Sequence, residues 1–84
     1  MRLLLATDQP EVVRVTAAKA LGRLGDPDSV GLLHGLLGES HVLARTAAVA
    51  LSQLGQRGLA VLRQESLIPE ADEVLAALPQ EVLA

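Results

Sequence analysis

Apolar residues recur along this chain at two spacings, a helical one within each segment and a longer one of thirty residues between segments. Val13, Ala17, Ala20, Leu21 and Leu24 fall within about 100° of one another on a helical wheel, with Arg14, Ala18, Lys19 and Gly22 on the other side. Leu43, Ala47, Ala50, Leu51 and Leu54 repeat that face thirty residues on. Seven of the ten residues from Thr16 to Gly25 are identical to those from Thr46 to Gly55. Self-similarity at a fixed period of this size marks a stacked architecture, in which each unit buries its apolar face against the next. The pattern predicts an all-α fold, an α-solenoid of antiparallel helical hairpins.

Punctuation residues place the elements. Asp8 and Glu11, with Pro10 between them, form a capping-box arrangement that starts helix one. Gly25 sits where a left-handed C-terminal cap belongs, and Asp26-Pro27 restarts the chain as N-cap and first helical residue. Helix two is predicted from Pro27 to Leu37, with a stop at Gly38. Ser40 caps helix three and Gly55 ends it. A shorter helix four covers Leu59 to Glu65, with Leu59 and Leu62 in the places of Val30 and Leu33 after a one-residue deletion. Helix five, from Glu70 to Leu78 between Pro69 and Pro79, carries Val74, Leu75 and Leu78 but lacks the Ala-Ala-x-Ala-Leu string. The expected organisation is a single domain over 1–84, with repeats at 8–37 and 38–66 and an acidic helical cap or partial repeat at 67–84. Ala17, Ala20, Ala47 and Ala50 suit close contacts between helices, because small residues favour the low end of the usual interaxial distance of about 8 to 10 Å.

The string Val13-Arg14-x-x-Ala17-Ala18-x-Ala20-Leu21-Gly22-x-Leu24-Gly25-Asp26-Pro27 resembles the short bacterial HEAT-like repeat of roughly thirty residues, first associated with phycobilisome lyase subunits. The resemblance covers about residues 8 to 65. It implies a helical-repeat stack that serves as a scaffold, a regulatory subunit or an added domain of a larger protein, and it carries over no ligand residues. It also implies that Arg14 reaches an acidic residue near an inter-helix turn. In the second copy the Val-Arg pair becomes Leu43-Ala44, with Arg45 one position late, so that rung is expected to be missing there.

Composition narrows the partners. Phe, Tyr, Trp and Cys are absent, so the core is built from Leu, Val and Ala, and neither disulfides nor thiolate metal sites arise. A cytoplasmic location is expected. The apolar run Leu3 to Ala6 behind one arginine is too short for a signal peptide or a membrane span, and no membrane partner is expected. The net charge of -3 is unevenly spread. Residues 1–64 hold seven basic residues against five acidic, a net of +2, whereas residues 65–84 hold five acidic residues and no basic one. Without clustered cations interleaved with aromatics, no nucleic-acid partner is expected.

Candidate chemistry is sparse. His34 and His41, with Glu39 as a third ligand, straddle a turn without a metal-binding spacing, so no metal site is assigned and no cofactor is expected. Ser29, Ser40, Ser52 and Ser66 lack the flanking glycines of a nucleophile elbow, and Asp26 and Asp28 occupy a helix start where the dipole favours negative charge. Gly31, Gly35 and Gly38 are expected to serve close helix packing, and no catalytic residue is assigned. One segment stands apart. From Ser29 to Gly38 there is no formal charge with His34 neutral, and while Val30, Leu33 and Leu37 face one way, Leu32 lies opposite. Leu32, with Asp28, Gly31 and Gly35, is therefore the expected partner-facing strip.

The expected function is a non-enzymatic helical-repeat scaffold for protein–protein interaction, with an accessory or regulatory piece of an enzyme, as in a lyase-like complex, as the alternative. Two repeats fall short of the three or more usually needed for a stable stack. Leu3 to Leu5 look like the end of an earlier helix, so a homo-oligomer or a longer repeat array is expected to cover the ends. Because Leu51 stands at the matched position of both copies, Leu51→Ala is expected to lower unfolding stability by about 2 to 5 kcal/mol. Urea denaturation checks this, and a change below about 0.5 kcal/mol, the range of surface substitutions, would contradict a core role.

Overall fold

A computed structural model describes residues 9–79 of the chain. Helix α1 spans Glu11–Leu24, and a 3-10 turn over Pro27–Ser29 leads directly into α2, Val30–Leu36. Helices α3, α4 and α5 follow at His41–Ser52, Gln56–Gln64 and Pro69–Ala77, and no strand occurs among the described residues. Helix α3 packs against all four other helices, while α2 also meets α4 and α4 meets α5. The result is two layers, α1, α3 and α5 in one and α2 and α4 in the other.

The expected turn chemistry is largely in place. Gly25 takes the left-handed conformation at φ 67°, and its amide donates to the Gly22 carbonyl. The Asp26 side chain accepts the Asp28 amide at 3.0 Å, and the Ser40 hydroxyl accepts the Leu43 amide at 3.4 Å. Gly55 performs a different task from the predicted one. Helix α3 ends at Ser52, and Gly55, at φ 75° and ψ -151°, re-aims the chain into α4, a backbone conformation essentially restricted to glycine. Asp8 lies outside the described residues, as do Leu3 to Leu5 and Glu81. Pro10 occupies the N-cap position of α1, and the Glu11 side chain accepts the Ser40 hydroxyl across to the start of α3.

Helix α1 buries a different face from the one its leucines predict. Leu24 is 66% exposed, whereas Arg14, Ala18 and Gly22, assigned to the outer side, are buried with Ala17 and Leu21. The cause is the approach of α1 to α3 at Gly22, where an added Cβ would fall 2.8 Å from the Ala50 Cα and 2.9 Å from its Cβ. A ridge of residues four apart, ending in a glycine, brings two helices closer than a ridge of leucines can, and α1 rotates to use it.

A second close contact fixes α4. At Gly58 an added Cβ would strike the Leu51 carbonyl oxygen. Ser29, in the corresponding place before α2, is fully buried, and its hydroxyl finds no hydrogen-bond partner among the described residues. Both positions precede the matched pair Val30 and Leu59, so a small side chain is required where each inner helix begins.

Helix α5 continues the outer layer. Ala44, Ala47, Ala48 and Leu51 are matched in α5 by Ala71, Val74, Leu75 and Leu78, each twenty-seven residues on, and all eight are buried or packed against the core. The alanine string is thus present in degenerate form at a shorter offset.

Gly31, Gly35 and Gly38 do not serve close packing, since an added Cβ at any of them meets nothing within 4 Å. Opposite responses to alanine follow. Gly58→Ala is expected to destabilise by about 1 to 3 kcal/mol or more, because the obstructing atom is backbone. Gly35→Ala is expected to stabilise by about 0.5 to 1 kcal/mol, by removing a helical glycine where space is open. Urea midpoints of the two variants that shift in the same direction would contradict the packing described.

Candidate functional site

The four strip residues share one exposed face of the 3-10 turn and α2. Asp28, Gly31, Leu32 and Gly35 are all exposed, Leu32 at 37%, while Leu33, Leu36 and Leu37 anchor the opposite side in the core. The spacing of three to four residues brings them together as one strip. The two glycines leave bare backbone on either side of Leu32, so the strip is shallow and uncharged except at Asp28.

Other exposed apolar residues escaped notice in the sequence. Val12 and Val42 occupy matched positions on the first turns of α1 and α3, and Leu67, in the turn before α5, is 98% exposed. The matched pair Val12 and Val42 is legible as a repeat position, but nothing in the sequence pattern marks Leu67.

Polar side chains clip successive helices of the outer layer. Arg14, although buried, donates through Nη1 to Glu39 Oε1 at 3.4 Å, in the turn between α2 and α3. This is the arginine rung that the repeat string implies. In the second copy its place is taken by Ala44, buried in the core, and Arg45 instead donates to Glu73 Oε2 at 3.4 Å on the surface. The buried rung is indeed missing there, and a solvated pair stands one residue later.

The two histidines serve separate partners. His34 Nε2 donates to Glu65 Oε1 at 3.1 Å, and His41 Nδ1 donates to Glu70 Oε2 at 2.6 Å. The first ties α2 to the end of α4; the second ties α3 to α5. Among the described residues no group of three or more His, Cys, Asp or Glu could hold a metal ion. Ser40 is engaged as cap and as donor to Glu11. Ser52 donates to the Val49 carbonyl at 2.6 Å. No helix among the described residues is long and apolar enough to cross a membrane.

Comparison with protein families supplies the remaining observation: the family described as HEAT repeats matches residues 2–83. The chain belongs to the HEAT-repeat family. Comparison with curated proteins and with solved structures finds no match. HEAT repeats generally act as protein-interaction scaffolds, and in this HEAT-repeat chain the two-layer stack presents surface on both sides of α3.

Glu70 gives the outer layer a pH dependence. Its carboxyl is held below the usual glutamate range, chiefly by the hydrogen bond from His41, then by its own backbone amide, against an opposing effect of burial and with the smallest contribution from the attraction of the His41 charge. A carboxyl with a lowered folded-state value binds fewer protons folded than unfolded. Its contribution to stability is therefore complete above the unfolded value and lost as pH falls through the folded one. Glu70→Gln removes this contribution, so wild type is expected to exceed the variant in urea midpoint at pH 6, by a margin that narrows as pH is lowered below the usual glutamate range. A gap that stays constant with pH would place the effect of the substitution elsewhere.

Proposed function

We propose that this chain is a non-enzymatic scaffold that engages a protein partner through the strip Asp28, Gly31, Leu32 and Gly35. The observation that carries the proposal is the exposure of an apolar residue on a charge-free helix, flanked by glycines beside which nothing lies within 4 Å. A helix apolar on both faces is normally covered on both. Among the described residues, only one side of α2 is covered. The partner is a protein, either a different one or a second copy, whose apolar ridge fits beside Leu32 while Asp28 meets a donor at the rim.

The proposed division of the chain is two full repeats at 8–37 and 38–66 and an acidic helical cap or partial repeat at 67–84. Its support is that α5 lies on α3 in the same layer in which α3 lies on α1. The narrower resemblance to lyase-type HEAT-like repeats rests on the Val13 to Pro27 string alone, and it corresponds to the accessory-subunit alternative.

A charge inserted into an apolar contact is strongly unfavourable. Leu32→Glu is therefore expected to abolish partner capture from the source cells, whereas Leu67→Glu, at a residue far more exposed and distant in sequence, preserves it. Where the covering surface is a second copy, wild type sediments above the monomer mass and Leu32→Glu at the monomer mass. Retention of both capture and sedimentation behaviour by Leu32→Glu would remove the strip from consideration.

A further inference from the structure

The outer layer carries a second surface of opposite character. Between α1 and α3 lies an open groove of about 400 Å³, flanked by Lys19 and Arg23 from α1 and by Arg45 and Gln53 from α3, with Val49 and Ala50 between them. Three cations and no acid line it. Lys19 and Arg23 are one helical turn apart on the same flank, about 6 Å from each other along α1. Neither has a carboxylate partner among the described residues. Arg45 alone is engaged, by Glu73, in a pair more than half exposed at both ends. Such a solvated pair is weak and exchanges readily.

The groove is built where the repeat departs from itself. Between Thr16–Gly25 and Thr46–Gly55 only three positions differ, Lys19 against Val49, Gly22 against Ser52, and Arg23 against Gln53. The identical positions include the packing residues Ala17, Ala18, Leu21 and their counterparts Ala47, Ala48, Leu51. Of the differing positions, Lys19, Arg23, Val49 and Gln53 all line the groove, and Gly22 sets how closely its two walls approach. Of these four, the two cations stand on the α1 wall and the two neutral side chains on the α3 wall, which carries Arg45 as well. Packing of the repeat demands neither.

We infer that this groove binds an extended acidic segment of a partner protein, with carboxylates two residues apart meeting Lys19 and Arg23 and the intervening small apolar side chain resting on Val49. In an extended segment, residues i and i+2 point the same way about 6.6 Å apart, close to the spacing of the two cations, and residue i+1 points to the opposite wall. From Arg45 to Gln53 the α3 wall runs about 12 Å, room for three to four extended residues. A nucleic acid fits less well. No aromatic side chain is available for base stacking, and the Glu73 carboxylate at the Arg45 end repels a continuing phosphate chain. The site is separate from the α2 strip, so Leu32→Glu leaves it intact and each surface stands or falls alone.

The test is an NMR titration of the full ¹⁵N-labelled chain with the peptide Ala-Glu-Val-Glu-Ala, with Ala-Gln-Val-Gln-Ala as the uncharged control and a dT12 oligonucleotide as the competing class. The acidic peptide is expected to shift the amides of residues 19–23 and 45–53 saturably, more weakly as salt rises. The glutamine peptide should bind at least about tenfold more weakly. Arg23→Glu should weaken the acidic peptide by a similar factor, while Arg57→Glu, the same charge change on α4, should leave it within about twofold. Lys19→Gln provides a milder second variant should Arg23→Glu lose its helical signature. The proposal is overturned by shifts spread evenly over the chain, by equal loss in Arg23→Glu and Arg57→Glu, by absence of saturable binding, or by tighter binding of dT12 at the same amides.

Discussion

The closest approaches to α3 are the constraint on which this molecule depends. At Gly22 and at Gly58 a single methyl group could not be added without striking the backbone of α3. A core without aromatic side chains has no large group to span a gap, so its apolar contact comes from many short side chains held close together. Close approach in turn demands small residues at the crossings, which is why Ala17, Ala18, Ala47, Ala48 and Ala50 are buried while Leu24 is not. The leucines Leu33, Leu51, Leu59 and Leu62 then fill the volume between the layers.

That arrangement decides where charge can go. Arg14 lies on the buried ridge, where its guanidinium has to be paired, and Glu39 in the following turn supplies a carboxylate. Helix α3 is flanked on both sides by α1 and α5, and there the equivalent ridge position is Ala44. Moving the arginine by one residue, to Arg45, turns it about 100° round the helix and into solvent. The pairs Glu11 to Ser40 and His41 to Glu70 link the first turns of successive outer helices, so polar contacts along one edge of the layer accompany the apolar contacts along its middle.

The hairpin repeat, the caps at Gly25, Asp26 and Ser40, and the exposed position of Leu32 were legible in the sequence because each depends on local chemistry or on a period. The buried face of α1 was not. A wheel drawn by hydrophobicity weights Leu24 above Gly22, yet in a helix pair what counts is how near the axes can come, and that depends on the partner residue Ala50. The same blindness applied in reverse to Gly31 and Gly35, whose spacing suggests a packing ridge although α2 turns them outward. The span of α5 was legible, but its repeat character was hidden by the shortened offset of twenty-seven residues, since a repeat sought at thirty finds Glu73 in the place of Leu43 and Gln80 and Glu81 in the places of Ala50 and Leu51. The basic groove was invisible because Lys19, Arg23 and Arg45 are distributed over two helices and meet only when α1 and α3 are aligned side by side.

Internal repetition separates the demands of folding from those of surface chemistry within a single chain. Two segments that must occupy equivalent places in one stack have to keep the residues that touch the neighbouring helix, and here the matched alanines and leucines are unchanged. Among the positions that differ, Gly22 is still held small by its contact with Ala50, whereas the exposed ones are released from that requirement, so their chemistry is set by something outside the core. In this chain they gather in two places with contrasting properties. On α2, absence of charge and of side-chain bulk leaves Leu32 as a shallow apolar feature that rewards shape more than charge. Between α1 and α3, three cations surround a small apolar patch, which rewards opposite charge and acts over a longer range, limited by salt. A partner carrying an acidic segment and an apolar ridge could engage both layers of the stack, with the acidic segment steering the encounter and the apolar contact slowing its release.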